Sequence, residues 1–214
     1  MHRPKHRPIL VAHRGFHRTS HIENTLPAFQ AALELGIDMI ECDIRLGSDN
    51  HLFCCHDKLL RGTNVEEISA EQREDHGLPL LEDVLLLMED YPEQGIVIEA
   101  KTREAGAALL GRVKPSEKRF TISFSDYHIY HAQQAGWQAG YLQAGGPELA
   151  RDLAGGDYLL GPSAQMAPAY TDEELARSNV WTVNDLALAE LLHQRGVWAL
   201  TTNYPDILLD YFEG

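Results

Sequence analysis

At 214 residues, 44% hydrophobic and 23% charged, the chain has the size and composition of one soluble domain, residues 1–214, with a sizeable core. Its formal net charge of −14 argues against nucleic acid as a main partner, because a duplex binder needs a basic face. An anionic small substrate stays open, since a site sets its own local field. The longest apolar segments, such as Val84-Leu85-Leu86-Leu87-Met88, are far too short for stable membrane insertion.

The basic N-terminus, Met1 to Pro8, leads straight into a strand-length run and carries no apolar leader with a small-residue cleavage site, so a cytoplasmic location is expected. Residues 1–18 hold five Arg or Lys and no carboxylate, which reads most simply as a solvated terminus. Cys42, Cys54 and Cys55 all fall in apparent strands and form no Cys-x-x-Cys pair, so buried reduced thiols are expected rather than a disulfide frame or a soft-metal site.

In chain order, Ile9–Ala12 is an apolar strand bounded by Pro8 and Gly15. Thr25 to Leu35 then spaces Leu26, Phe29 and Leu33 as an amphipathic helix stopped by Gly36. Asp38–Asp43 and Leu52–Cys55 read as strands around a Gly47-Ser48-Asp49-Asn50 turn. Leu81 to Asp90 is helical, and Gly95–Glu99 is the next strand. Further strands are predicted at Arg119–Phe124, Gln138–Leu142, Tyr158–Gly161, Val180–Val183 and Val197–Thr201, with helices at Asp126–Ala135, Thr171–Arg177, Asp185–Gln194 and Asp206–Phe212.

This alternation predicts an α/β fold with a mainly parallel sheet, a distorted (β/α)8 TIM barrel. Nine strand candidates compete for eight places, so one lies off the barrel, and Gln138–Leu142 or Tyr158–Gly161 is the expected one. No helix fits between the second and third strands, where Asp43 to Leu52 is too short for a helical crossover. A doubly wound open sheet is the alternative, but no Gly-x-Gly-x-x-Gly follows the first strand.

In an α/β barrel the working residues project from the C-terminal ends of the strands. Here the first strand ends in His13-Arg14, and the second offers Glu41 and Asp43, two apart and so on one face. The third ends in His56-Asp57, the fourth in Glu99 and Lys101, and a later one in Trp181 to Asp185. Three carboxylates without clustered thiolates suit one hard divalent cation, Mg²⁺ or Ca²⁺, which would relieve repulsion among Glu41, Asp43 and Glu99. Arg14 and Lys101 suit a phosphate, and two imidazoles with ordinary pKa values of roughly 6.5 suit proton transfer near neutrality.

The ordered pieces His13–Gly15, Glu23–Thr25, Gly36–Asp43, His56–Asp57, Ile98–Lys101, Ser123–Phe124, Trp181–Asn184 and Thr202–Pro205 resemble the glycerophosphodiester phosphodiesterase family over nearly the whole chain. The resemblance implies a metal-dependent TIM-barrel hydrolase that splits small-molecule glycerophosphodiesters into an alcohol and sn-glycerol 3-phosphate. It implies His13 and His56 as the acid/base pair, and Glu41, Asp43 and Glu99 as metal ligands. Arg14 and Lys101 would hold the phosphate, and Trp181 would line the pocket near the glycerol. The family's last motif usually reads Ile-Thr-Asp-x-Pro, where this chain has Thr201-Thr202-Asn203-Tyr204-Pro205. The segments after Asp57 and between Lys101 and Ser123 are short, and Cys54-Cys55 replaces branched aliphatics.

Plainer roles stand beside these. His13 alone would read as a structural histidine, and Glu41 and Asp43 could pair with Arg14 or Lys101 without a metal. Glu23 fits a helix start as well as a metal's surroundings. Trp181 fits core packing as well as a pocket wall, and Asp57, Ser123 and Asn184 fit supporting or capping roles. Two other functions use the same frame: a phospholipase D-like lyase forming cyclic phosphates from lysophospholipids, and a non-catalytic phosphoester-binding protein. The first needs a lipid-docking face, and the second needs no complete set of histidines and carboxylates.

Overall fold

The computed structural model describes residues 6–18, 21–145 and 158–214, so Arg3 and Lys5 of the basic terminus lie outside the described residues. The elements run β1 (Ile9–Ala12), α1 (Leu26–Glu34), β2 (Met39–Leu46), β3 (Leu52–Cys54), β4 (Leu59–Leu60), β5 (Thr63–Asn64), α2 (Arg73–His76), α3 (Leu81–Leu87) and β6 (Gly95–Ala100). They continue with α4 (Arg103–Arg112), β7 (Arg119–Ser123), α5 (Asp126–Gln134), β8 (Gln138–Gln143), β9 (Leu159–Pro162), α6 (Asp172–Leu175), β10 (Asn179–Val180), α7 (Leu186–Gln194), β11 (Ala199–Thr202) and α8 (Pro205–Glu213).

Parallel pairing runs in the order β10-β11-β1-β2-β6-β7-β8-β9. The ring closes between its two ends: Leu160 bridges Ser178, Ser163 bridges Trp181, and the Trp181 amide donates to the Pro162 carbonyl at 3.1 Å. The outcome is an eight-stranded parallel barrel wrapped by helices, as the alternation predicts.

The strand off the barrel is not one of the two expected. β8 and β9 pair in parallel within the ring (Gly140↔Leu159 to Gln143↔Pro162), whereas β3 turns back antiparallel on β2, with Ile44 opposite Cys54 and Leu46 opposite Leu52. The Gly47–Asn50 turn is short enough for a hairpin, so the absence of a helix there marks a reversal of direction rather than a crossover. Residues 47–94 then form an insertion between β2 and β6. It holds the β4–β5 hairpin, and Phe53, Cys55, Val65, Ile68 and Leu78 make a small apolar core of its own. α3 completes the return to the start of β6.

Helix α4 was not foreseen. Its sequence, Arg-Glu-Ala-Gly-Ala-Ala-Leu-Leu-Gly-Arg, buries mainly small residues (Ala105, Gly106, Leu109), so no bulky periodic stripe reports it. Thr102 caps it by accepting from the Ala105 amide at 3.2 Å. Strand β10 is shorter than the expected Val180–Val183, covering Asn179–Val180 only.

Alternation along the strands builds two apolar layers. Val11, Met39, Val97, Phe120, Ile122, Leu142 and Ala199 fill the ring's interior. Their neighbours Leu10, Ala12, Ile40, Cys42, Ile96 and Ile98 pack outward with the helices. Continuing the period of two from Val11, Met39, Val97 and Ala199 reaches His13, Glu41, Asp43, Glu99, Lys101 and Asn203. The face that plugs the barrel below therefore carries the ionisable groups at its C-terminal mouth.

Candidate active site

Glu41, Asp43 and Glu99 are buried to 1%, 0% and 8% exposure, and each offers an oxygen within 4.8 Å of the others. The β2–β6 register makes this unavoidable, because Asp43 lies directly opposite Glu99 and Glu41 precedes Asp43 on the same face. Burial raises the Glu41 carboxyl well above the usual carboxylate range, and the charges of Asp43 and Glu99 raise it further. Burial and Asp43 likewise raise Glu99, against Lys101. Burial pushes Asp43 the same way, but Lys101, Arg14 and an amide hydrogen bond from Asn24 outweigh it and hold Asp43 low.

Two oxygens in this cluster, Glu41 Oε1 and Asp43 Oδ1, are buried and accept no hydrogen bond. The nearest cation to Asp43 Oδ1 is Lys101 Nζ at 3.3 Å, and the same ammonium sits 2.6 Å from Glu99 Oε1. Buried carboxylate oxygens without donors are costly, and an all-oxygen set of three suits a hard divalent cation. The residues present can therefore hold one.

Arg14 is placed by a sharp corner. It adopts a left-handed φ of 57°, uncommon outside glycine, and this aims its amide at Glu41 Oε2 (2.9 Å). Its guanidinium meets Asp43 Oδ2 at 3.1 Å and Glu23 Oε1 at 2.7 Å. Gly15 follows at φ +82°, where an added Cβ would lie 2.6 Å from the Ala28 carbonyl carbon, so the corner needs glycine for both conformation and space. Glu23 thus pairs with Arg14 rather than capping the helix; the N-cap of α1 is Thr25, whose side chain makes no capping bond.

His13 sits at the end of β1 with Nδ1 2.7 Å from Asn203 Oδ1. Burial lowers its pKa to about 4 and neighbouring Arg14 adds to this, while the Asn203 bond, Asp43 and Glu23 act the other way. His56 lies beyond β3 on the insertion, with its Nδ1 2.8 Å from Asp57 Oδ1. The His56 charge acts on both Asp43 and Glu99, and that of Asp43 on His13, so both imidazoles lie within electrostatic reach of the carboxylate cluster. Trp181 is half-buried against the barrel interior, donates Nε1–H to the Gly161 carbonyl at 2.6 Å, and meets Phe124 edge-on at 5.6 Å. Among the described residues it makes no hydrogen bond to the polar cluster, and it packs on the ring's interior layer.

The arrangement brings Arg14, Lys101, a carboxylate cluster that could hold a cation and two imidazoles to one barrel mouth. The family model described as "Glycerophosphoryl diester phosphodiesterase family" matches residues 13–124, from His13 to Phe124. The chain belongs to this family. A probable glycerophosphodiester phosphodiesterase 1 of Mycobacterium tuberculosis is 47% identical over 58 residues, which are 27% of this chain and 21% of that protein. The match therefore takes in about a fifth of that curated relative. A glycerophosphodiester phosphodiesterase from Thermotoga maritima shares the fold with a TM-score of 0.82 and 26% identity, covering 97% of this chain and 100% of the other. An Oleispira antarctica phosphodiesterase solved with its product sn-glycerol-3-phosphate gives a TM-score of 0.76 at 21% identity, with 97% of each chain covered.

Three residues that support these side chains, Asn24, Asn203 and Arg45, were not singled out as site residues from the sequence. Asn24, 4% exposed and at φ 56°, donates to Asp43 Oδ2 (2.8 Å) and accepts from the Asp43 amide (3.1 Å). Asn203 holds His13. Arg45 donates to the His56 carbonyl (2.9 Å) and meets Glu66 (3.2 Å), tying the insertion to β2. Arg45 shares a strand face with Glu41 and Asp43, and that parity was the available signal.

Proposed function

We propose that this chain hydrolyses glycerophosphodiesters to an alcohol and sn-glycerol 3-phosphate, with His13 and His56 as the acid/base pair. One divalent cation, Mg²⁺ or Ca²⁺, would be held by Glu41, Asp43 and Glu99. The observation that carries this reading is the donor-free pair of buried oxygens, Glu41 Oε1 and Asp43 Oδ1, in a carboxylate cluster flanked by Arg14 and Lys101. Family membership and the product held by the Oleispira antarctica neighbour agree with it.

When bound, the cation supplies Lewis-acid polarisation of the phosphate and offsets its charge. Arg14 and Lys101 bind the non-bridging oxygens and stabilise the charge that grows on them in the transition state. One imidazole takes the proton of the attacking hydroxyl, from substrate glycerol or from water. The other gives its proton to the departing alcohol oxygen, so that no alkoxide is released. Trp181 and Phe124 would bound the pocket on the glycerol side. No described helix is long and apolar enough to cross a membrane, and the three cysteines are free and buried, which fits a reducing compartment such as the cytoplasm.

The test is release of sn-glycerol 3-phosphate from glycerophosphoethanolamine and glycerophosphocholine, with Mg²⁺ or Ca²⁺ and after exhaustive chelation. Turnover that chelation abolishes and either cation restores is the expected result. Undiminished turnover in chelator would remove the cation from the reading, and no product from any glycerophosphodiester would remove the activity.

A further inference from the structure

The contact between His13 and Asn203 is more specific than a tie between strands. β1 pairs with β11 in the register Ala12↔Thr202, and the His13 amide donates to the Thr202 carbonyl at 2.9 Å. The next residue on each strand is therefore His13 beside Asn203, both with inward parity. Asn203 is itself held: its amide donates to Asn184 Oδ1 at 2.9 Å, Thr202 Oγ1 donates to the same oxygen at 3.3 Å, and the Tyr204 amide donates to Thr202 Oγ1 at 3.0 Å. The backbone already joins β1 to β11, so the side-chain bond adds orientation of one ring rather than cohesion.

We propose that Asn203 is a positioning residue that fixes His13 as the Nδ1–H tautomer, leaving the Nε2 lone pair as the proton acceptor at the mouth. This rests on the reading of His13 as an acid/base group. An amide oxygen can only accept, so the ring must donate from Nδ1, and a neutral ring then carries its lone pair on Nε2. A carboxylate in the same place would orient the ring equally well but would also hold it as imidazolium. The amide orients without that charge. The charged groups around His13 are Arg14, which disfavours protonation, and Asp43 and Glu23, which favour it; burial disfavours it most, and the balance lies on the neutral side. In the reaction the hydroxyl proton passes to Nε2, and the imidazolium formed still donates from Nδ1 to Asn203, so the bond survives the transfer.

Asn203→Ala and Asn203→Asp in the full chain test this. With a saturating cation, Asn203→Ala lowers kcat roughly 10–100-fold with KM within about threefold, because the ring is mis-set rather than the substrate lost. Asn203→Asp keeps the acceptor, so kcat is restored at alkaline pH, while the acid limb of the profile moves up by about one pH unit or more. Without cation or substrate, ¹H–¹⁵N spectra show the His13 proton on Nδ1 in the wild type and a tautomer mixture in Asn203→Ala. A kcat within twofold of wild type in Asn203→Ala, or an acid limb unmoved in Asn203→Asp, overturns the proposal. If Asn203→Ala fails to fold, the near-isosteric Asn203→Asp decides alone. Near-normal turnover by His13→Ala would instead refute the acid/base reading of His13 itself.

Discussion

His13 and His56 serve one carboxylate cluster from unlike parts of the molecule. His13 ends a strand of the closed ring, mostly buried, with a neutral amide as its partner and a glycine corner packed on α1 behind it. His56 follows a strand outside the ring, with its side chain 35% exposed, and its partner Asp57 is 75% exposed. The insertion that carries it packs on five buried residues of its own and is tied to β2 through Arg45. The first ring is thus positioned by the barrel and kept neutral by its surroundings. The second stays open to solvent, with a carboxylate beside it that His56 itself holds below the usual carboxylate range. On the proposed reading, His13 would be a rigid, desolvated proton acceptor and His56 a solvent-exposed donor.

Several measurements would break or sharpen that contrast. His13→Ala and His56→Ala should each lower kcat roughly 10²–10⁴-fold in sn-glycerol 3-phosphate release. They should also leave different profiles: the wild type keeps its acceptor neutral well below pH 6.5, losing turnover as pH falls toward about 4, and only His13→Ala should lose that acid limb. Equal profiles for the two variants would mean that the two environments do not matter.

Glycine substitutions probe the two supports. Gly15→Ala forces a Cβ to 2.6 Å from backbone at a left-handed φ, and should cost about 3 kcal/mol in denaturant unfolding. Gly62→Ala, at φ +87° with open space around it in the β4–β5 turn, should cost about 1 kcal/mol. Similar losses would show that the insertion is as tightly built as the ring.

Acid stability gives a further contrast of about 3 kcal/mol at most. His13 has its folded pKa lowered, so between pH 6.5 and about 4 the unfolded chain takes up a proton that the folded chain refuses. Stability from this group is complete above pH 6.5, falls through that window and is gone below it. Unfolding of His13→Ala should be less sensitive to pH there. Asp57→Asn should show the smallest effect, less than tenfold in kcat, because solvent screens the charge of so exposed a carboxylate even in direct contact with His56.

Much of this was legible in the sequence because the chemistry sits where strand parity puts it. Glu41, Asp43, Glu99 and Lys101 are spaced by two on strands whose apolar residues already reveal the inward face. The three-carboxylate cluster could thus be expected before its contacts were seen. What was not legible was strand direction. Leu52–Cys54 is as apolar as any barrel strand, and only its antiparallel pairing with β2 excludes it from the ring, so the choice fell wrongly on β8 or β9. Asn24 and Asn203 escaped because amides announce no charge. Their roles depend on a left-handed corner and on the β1–β11 register, both of them tertiary facts. Helix α4 escaped because alanine and glycine bury little area and leave no stripe.

The insertion between β2 and β6 has a consequence for heat and denaturant. Leu52, Cys54, Leu81 and Val84 anchor the two ends of the insertion in the main core, whereas its middle, residues 55–78, packs chiefly on Cys55, Val65, Ile68 and Leu78 with Phe53. A unit with so few apolar contacts opens sub-globally at lower free energy than the whole molecule. Such opening withdraws one imidazole and leaves the carboxylates, the clamp and the other imidazole in place. Loss of activity ahead of the far-ultraviolet circular dichroism transition on heating is the expected sign of that opening.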